Sequence, residues 1–263
     1  MKRCLGLLAA LALLGCTAPL TPATSVTVSA QPAQRSGFDD MGAATQAMQR
    51  DDGANPAMLW VQEGQQLWGQ APAAQSKACA SCHGEVASLR GVAARYPAWD
   101  ALLQRPVNLG SRINLCRQRH QGQPAWPAEH ASLLGLEALV GLQSRGLPMA
   151  PPADPRLEPF RERGAALFSQ RIGQLDLSCA TCHDQLAGGR LAGVTIPEGQ
   201  ANGYPLYRLE WQDLGSLPRR IRNCMTGVRA QPLPAHSVEM VELELHLATR
   251  ALGMAVETPA VRP

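Results

Sequence analysis

The stretch Cys79-Ala-Ser-Cys82-His83 decides the fold of this chain, and it returns as Cys179-Ala-Thr-Cys182-His183. Cys-x-x-Cys-His is the attachment signature of c-type haem, in which both thiols bond to the haem vinyl groups and the histidine ligates the iron. A thioredoxin-like redox pair needs a βαβ context that the sequence lacks, and a zinc site does not require a histidine directly after the second cysteine. The two copies therefore predict two covalently bound haem c groups.

The repeat extends upstream of both motifs. Four positions match, namely Trp60, Gly64, Leu67 and Trp68 in the first copy and Phe160, Gly164, Leu167 and Phe168 in the second. Their spacing of i, i+4, i+7 and i+8 is one face of an α-helix. A glycine on that face allows another backbone to approach closely, which offsets its low helix propensity. The sequence thus predicts an amphipathic helix before each motif.

A second shared anchor follows each motif, Arg112-Ile-Asn-Leu-Cys116 in the first copy and Arg220-Ile-Arg-Asn-Cys224 in the second. An apolar helical stretch follows each anchor, near residues 133–142 and 238–252. Prolines between positions 148 and 155 mark a boundary, and no strand pair stands out. We therefore predict an all-α protein with two cytochrome-c-like domains, residues 56–150 and 151–263, related by an internal repeat.

Residues 1–16 are typical of a signal peptide. Two basic residues precede an apolar stretch from 5 to 14, which is too short to span a bilayer as a helix. The ending Leu-Leu-Gly-Cys16 resembles a bacterial lipobox, and ordinary cleavage after Ala30 is the alternative. We expect an exported, periplasmic protein that contacts the membrane only through a lipid on Cys16.

The composition limits the remaining classes of function. The formal net charge of +3 is too small for a strongly basic nucleic-acid binder, so no nucleic-acid partner is expected. Hydrophobic residues make up 45% of the chain, which excludes a disordered protein. Aromatic residues make up only 4%, and two haems account for this deficit because each fills a small domain's core. Residues 17–55, rich in small and polar residues, are predicted to form a flexible arm.

The iron ligand opposite each histidine stays open at this point. Met149 and Met254 end the two copies and permit His/Met ligation, and four histidines permit His/His ligation: His120, His130, His236 and His246. Of the six cysteines after Cys16, the haems use four, and the other two, Cys116 and Cys224, occupy matching positions. We favour thiolate ligation of each iron over a disulfide between these two, because unrelated free thiols would not follow the repeat.

The two haem motifs and the two Arg-x-x-x-Cys anchors together resemble the SoxA subunits of the SoxAX cytochromes, which act in bacterial thiosulfate oxidation. The resemblance covers about residues 56 to 255. It implies the diheme form, with His83 and Cys116 on the first iron and His183 and Cys224 on the second. The thioether bonds fall on Cys79, Cys82, Cys179 and Cys182.

The resemblance also implies an activity, that of an L-cysteine S-thiosulfotransferase. Such an enzyme joins thiosulfate oxidatively to a cysteine of the SoxYZ carrier protein and passes electrons through haem to a SoxX-type monohaem partner. It implies that Cys224 is the reactive residue, found as a persulfide, and that Arg220 contacts the substrate. The cluster of Arg219, Arg220 and Arg222 suits a small dianion. A plain diheme electron carrier and a diheme peroxidase are the alternatives.

Overall fold

The computed structural model describes residues 34–263. The predicted signal peptide, Cys16 and the first part of the predicted arm lie outside the described residues. Within residues 34–263 no helix is long and apolar enough to cross a membrane.

Eight α-helices and seven short strands form the described part of the chain. The helices are α1 Ala43–Arg50, α2 Met58–Gly69, α3 Cys79–His83, α4 Leu109–Gln121, α5 Ala131–Leu142, α6 Glu158–Ser169, α7 Leu217–Gly227 and α8 Val238–Arg250. The strands are β1 Ala98–Asp100, β2 Arg105–Val107, β3 Arg190–Leu191, β4 Val194–Thr195, β5 Leu206–Arg208, β6 Asp213–Gly215 and β7 Ala260–Arg262. The second motif continues into a π-helical turn over Thr181–Gln185 instead of a separate α-helix.

Two crossed helix pairs make the cores of the two repeats. Helix α2 crosses α5, and α6 crosses α8. A Cβ atom at Gly64 would overlap the carbonyl oxygen of Gly135, and one at Gly164 would overlap the carbonyl oxygen of Glu242. Only glycine permits such close backbone contact, so the predicted helices and the close approach at their glycines are confirmed.

Short hairpins correct the expectation that no strands pair. Strand β1 pairs antiparallel with β2, and β5 pairs antiparallel with β6, at the same place in the two repeats. Strand β7 adds to β5 in parallel, so the second hairpin becomes a three-stranded sheet in the order β6-β5-β7. Strands of two or three residues are too short to show an alternating pattern, so they cannot be recognised from the sequence.

The prediction that residues 17–55 form a flexible arm is wrong for the C-terminal part of that range, which contains helix α1. Helix α1 packs against β7 at the other end of the chain. Asn55 is buried, and its Nδ2 donates a hydrogen bond to the carbonyl oxygen of Pro259 at 2.9 Å. The Oε1 atom of Gln49 accepts a hydrogen bond from the backbone N–H of Val261 at 3.0 Å. These partners lie more than 200 positions away, so local composition could not reveal them.

Two glutamates line a cavity of about 100 Å³ between the repeats. Glu137 on α5 and Glu244 on α8 occupy matching positions, each two residues after the crossing contact of its helix. Burial raises the pKa of Glu244 to about 8, although Asn108 Nδ2 donates a hydrogen bond to its Oε1 at 2.8 Å. Burial also raises the pKa of Glu137, and the nearby Glu244 and Glu129 add to that effect. Glu244 therefore holds its proton at neutral pH.

The raised pKa of Glu244 predicts a stability that falls as the pH rises. An ordinary glutamate in the unfolded chain releases its proton near pH 4.5, whereas Glu244 in the folded protein retains it to about pH 8. Between these values the native state binds more protons, so each pH unit costs on the order of 1.4 kcal/mol of unfolding free energy. Glu244→Gln keeps an acceptor for Asn108 but cannot titrate. We expect the variant to lose less stability than the parent protein between pH 5 and 8 in thermal denaturation.

The control for this measurement is Glu162→Gln, at an exposed position of α6. It should follow the parent protein across the whole range. Equal losses in the parent protein and in Glu244→Gln would show that Glu244 does not bind the extra proton.

Candidate functional site

Each anchor cysteine lies beside the Cys-x-x-Cys pair of its own repeat. Burial raises the pKa of Cys79, and the nearby thiols of Cys116 and Cys82 contribute to the same shift. In the second repeat burial, with a smaller contribution from the neighbouring Cys224, raises the pKa of Cys179 to about 11. All six cysteines among the described residues are free thiols. The structure therefore does not contain the alternative disulfide between Cys116 and Cys224.

Capped helices fix the position of both anchors. The side chains of Asn108 and Ser216 are the N-caps of α4 and α7, and each accepts a hydrogen bond from a backbone N–H three residues later. The arginine and cysteine of each anchor are four residues apart, so they share one helix face. The helix start thus determines which face turns towards the haem motif.

The second repeat contains a cavity of about 530 Å³, lined mainly by apolar side chains that include Leu167, Met225 and Leu243 together with Cys179. A haem needs such an apolar crevice with an attachment thiol at its wall. Of the predicted haem-binding residues of this repeat, Cys179 lines the cavity, whereas Cys182, His183 and Cys224 do not belong to its lining.

His183 is oriented for metal ligation. Its Nδ1 lies 2.8 Å from the carbonyl oxygen of Pro197, to which it donates, so Nε2 keeps the free lone pair. Burial lowers the pKa of His183, and the nearby Arg220 adds to the effect. The lowered pKa favours the neutral imidazole that binds iron, whereas the hydrogen bond to Pro197 fixes the orientation of the ring and opposes the shift.

Backbone packing holds the His183 ring from another side. Gly199 has φ +74°, and a Cβ atom there would lie 3.0 Å from Cγ and 3.2 Å from Nδ1 of His183. The chain reaches this position because the segment between motif and anchor is longer in the second repeat, where it includes the β3–β4 hairpin. Sequence reasoning missed Pro197 and Gly199, and only the extra length between the second motif and its anchor signals them.

The first motif is more open. His83 and Cys82 are exposed, and the His83 ring lies 5.8 Å from the ring of Trp68, centroid to centroid. Trp68 Nε1 donates a hydrogen bond to the carbonyl oxygen of Gly84 at 2.9 Å, which holds the turn after the motif. The two repeats therefore present their histidines differently although their motifs match.

The methionines that a His/Met scheme assigns to separate irons lie together. Met149 and Met254 belong to one apolar cluster with Ala248 and Ala251, and the Met149 N–H donates to the Met254 carbonyl at 2.8 Å. Among the histidines, His130 caps α5 and stacks on a tryptophan ring. These positions favour the anchor cysteines over the methionines as iron ligands.

The other three candidate histidines lie in different surroundings. His120 is exposed near the end of α4, and His236 lines the cavity between the repeats. His246 packs against the ring of Phe168 at 5.1 Å between centroids, and its Nε2 is buried without a hydrogen-bond partner among the described residues.

The three arginines of the second anchor lie in different surroundings. Arg219 forms an ion pair with Asp213 at 2.8 Å and lies 4.3 Å above the ring of Trp211. Arg222 is exposed. Arg220 is half-buried, shares the face of Cys224 and is close enough to influence His183. The expectation of a three-arginine cluster is therefore wrong for Arg219, whose charge Asp213 neutralises.

Within residues 34–263 no group of three or more His, Cys, Asp or Glu side chains is placed to hold a metal ion.

Comparison with known proteins identifies the domains of the chain. Residues 63–149 and 163–256 both match the SoxA/TsdA cytochrome c domain. These two matches confirm the predicted fold class of two cytochrome c domains, and a cytochrome c domain binds haem c covalently.

Similar proteins cover most of the chain. The L-cysteine S-thiosulfotransferase subunit SoxA of Pseudaminobacter salicylatoxidans is 36% identical over 222 residues, or 84% of this chain and 78% of that protein. The subunit of the same name from Paracoccus pantotrophus is 32% identical over 86% of this chain and 78% of that protein. A chain in the crystal structure of SoxXA from P. pantotrophus matches with a TM-score of 0.84 at 32% identity, over 88% of this chain and 87% of that chain.

The contact between Gly199 and His183 leads to a test of the second haem site. In Gly199→Ala the new methyl group would meet the imidazole, so we expect a tilted His183 and a changed spectrum of one haem only. Gly188→Ala is the matched control, because Gly188 has φ +81° and open space around its Cα. Both variants should lose about 1 kcal/mol of stability. Electron paramagnetic resonance spectra that are identical in the two variants would contradict the proposed support of His183.

Proposed function

The chain belongs to the SoxA family of cytochrome subunits, and on that premise we propose that it is the catalytic subunit of an L-cysteine S-thiosulfotransferase. Its substrates are thiosulfate and a cysteine of a SoxYZ carrier protein. The observation that carries the proposal is the placement of Cys224 beside the second haem motif, on the same helix face as the half-buried Arg220. The names of the relatives and the structural match to SoxXA support it.

Two haem c groups complete the proposed subunit. Cys79 and Cys82 would bind the first covalently, and His83 and Cys116 would ligate its iron. In the second repeat Cys179 and Cys182 would bind the haem covalently, and His183 and Cys224 would ligate its iron. The free Nε2 of His183 and the position of each anchor cysteine beside its motif support these assignments. When bound, the haems supply a path for electrons.

The net reaction forms one sulfur–sulfur bond. The outer sulfur of thiosulfate joins the sulfur of the carrier thiol, the thiol proton is released and two electrons leave, so a dianion and a neutral thiol become a singly charged conjugate. The electrons pass to a SoxX-type monohaem cytochrome, the partner for which the SoxXA match gives support. The domain that performs the chemistry is the second one, residues 151–263.

Arg220 and Cys224 of the second anchor have different roles in this reaction. Arg220 presents a planar guanidinium, which binds sulfonate oxygens through two parallel hydrogen bonds. Cys224, one helical turn later, offers the reactive sulfur, since thiolate is the nucleophilic form of cysteine. Loss of two electrons would join the Cys224 sulfur to the outer sulfur of thiosulfate. The carrier thiolate would then attack that outer sulfur, take over the thiosulfate group and release the Cys224 thiolate. The proposed subunit is exported, with residues 1–16 as its signal peptide and Cys16 as a lipid anchor.

The number of haems is tested by mass spectrometry of the protein made in a host that matures c-type cytochromes. We expect the mass of the chain plus two haems. Replacing both Cys79 and Cys82 with Ser should remove one haem and leave a spectrum with the second site intact. A parent protein that carries a single haem would overturn the diheme assignment.

The role of Cys224 is tested by substitution with methionine. Cys224→Met keeps a soft sulfur ligand but removes the thiolate, so conjugation of thiosulfate to the carrier should fall by about 10³-fold or more, as expected for loss of a nucleophile. Cys116→Met makes the same change at the matching position of the first repeat and should be much milder. The measurement is the mass of the carrier protein after incubation with thiosulfate, the partner cytochrome and an electron acceptor. If Cys224→Met kept full conjugating activity, Cys224 would not be the reactive sulfur, and the alternative function of a plain electron carrier would be favoured.

A further inference from the structure

The two hairpins place residues of opposite charge at one matching position. Both begin after a Tyr-Pro pair, and Asp100 ends β1 where Arg208 ends β5. The registers agree, since Asp100 lies opposite Arg105 and Arg208 lies opposite Asp213. The first repeat therefore has an aspartate where the second has an arginine.

In the first repeat Asp100 neutralises the anchor arginine. Its carboxylate accepts from Arg112 at 2.7 Å and from Arg119 at 3.0 Å, and only 2% of its side chain is exposed. Backbone N–H groups of Leu102 and Leu103 occupy its other oxygen. Hydrogen bonds from Arg119, Leu103 and Arg112 hold the pKa of Asp100 well below its usual range. Arg112 is thereby unavailable to a small anion.

In the second repeat no such carboxylate is present. Arg208 is 11% exposed, and its one ionic contact is a 3.3 Å approach of Nη2 to the exposed Glu210. Its Nε–H is buried without an acceptor among residues 34–263. Arg208 occupies the position from which Asp100 contacts the anchor arginine Arg112 at 2.7 Å in the first repeat, so its side chain lies near the matching Arg220. Burial lowers the pKa of Arg208, and the neighbouring Arg220 lowers it further. A buried donor without a partner beside a like charge is unfavourable unless a ligand satisfies it.

The residues around Arg208 leave its positive charge free to bind an anion. Asp213 directs its carboxylate to Arg219, and Arg219 and Arg208 both lie over the ring of Trp211, at 4.3 Å and 5.3 Å. Cys224 follows Arg220 by one helical turn on the same face of α7. The unsatisfied arginine therefore lies beside the sulfur that is proposed to react.

We propose that Arg208 and Arg220 together form a two-arginine site for the sulfonate group of thiosulfate, next to Cys224. The inference rests on the proposed function and adds a substrate-binding residue to it. A sulfonate has three oxygens, so it can accept from the Nε–H of Arg208 and from the guanidinium fork of Arg220 at once. Two arginines balance the two charges of the anion. The aspartate of the first repeat explains why that repeat does not bind the same ligand.

The decisive variant is Arg208→Asp, which gives the second repeat the residue of the first. The hairpin accommodates aspartate at this position in the first repeat, and the new carboxylate can pair with Arg220 as Asp100 pairs with Arg112. We expect a folded diheme protein whose dissociation constant for thiosulfate, measured by calorimetry without the carrier, rises at least about 100-fold. Arg208→Gln removes the charge alone and should raise it by about 10-fold or more, since hydrogen bonds to charged groups contribute about 1.5–3 kcal/mol each. Arg208→Lys should recover part of the loss.

Arg90→Gln, at an exposed position of the first repeat, is the control for loss of one positive charge. It should leave both the dissociation constant and the KM for thiosulfate unchanged. In turnover, Arg208→Gln should raise KM for thiosulfate much more than it lowers kcat at saturating substrate.

Several results would overturn the proposal. One is thiosulfate binding to Arg208→Asp with the affinity of the parent protein. Another is a shift in the reduction potential of the second haem with thiosulfate affinity unchanged, which would make Arg208 a partner of a haem propionate. The proposed function fails separately, since it depends on conjugation by the parent protein and its loss in Cys224→Met. If Arg208→Gln folds poorly, Arg208→Lys still tests the proposal. This variant keeps the positive charge, and it must bind thiosulfate more weakly than the parent protein does.

Discussion

The close crossing of two helices at a glycine is the constraint on which each repeat depends. Gly64 lets α2 rest on the backbone of α5, and Gly164 lets α6 rest on the backbone of α8. This contact fixes where the chain leaves α2 and α6, and the haem motif follows within about a dozen residues. The capped helices α4 and α7 then bring an arginine and a cysteine back to the motif. A larger side chain at either glycine would separate the pair and move all of these groups together.

The same scaffold supports two different sites because its connections differ. In the second repeat the longer segment after the motif returns Pro197 to the Nδ1 of His183 and lays Gly199 on the imidazole ring. In the first repeat His83 is exposed and contacts Trp68. A histidine held by a backbone acceptor keeps one tautomer and one orientation. The second site is therefore the more constrained of the two, as a site that positions a reacting sulfur needs to be.

The sequence predicted the parts that repeat, and it failed where a residue depends on partners far along the chain. The haem motifs, the anchors and the glycine crossings follow from local spacing. The helix α1 could not be predicted, because its partner β7 lies at the other terminus. The predicted cluster of Arg219 with Arg220 rests only on their adjacency in the sequence, whereas the side chain of Arg219 forms an ion pair with Asp213 of the hairpin. Arg208 could have been found by extending the repeat to the Tyr-Pro pairs, but its unsatisfied Nε–H is visible only in three dimensions.

Charge pairing explains how the two repeats can share a core and still divide their roles. In the first repeat the buried Asp100 receives hydrogen bonds from two arginines and two backbone N–H groups, an arrangement whose loss would be costly because it is complete. The second repeat lacks that carboxylate and leaves two guanidinium groups close together, which destabilises the unliganded protein. Such an unfavourable feature persists where a ligand relieves it, and an anion relieves this one by replacing the missing aspartate with its own oxygens. In the proposed two-arginine site, binding energy for a small oxyanion would come from the absence of an internal carboxylate partner for Arg220, with no change to the helix that carries Cys224.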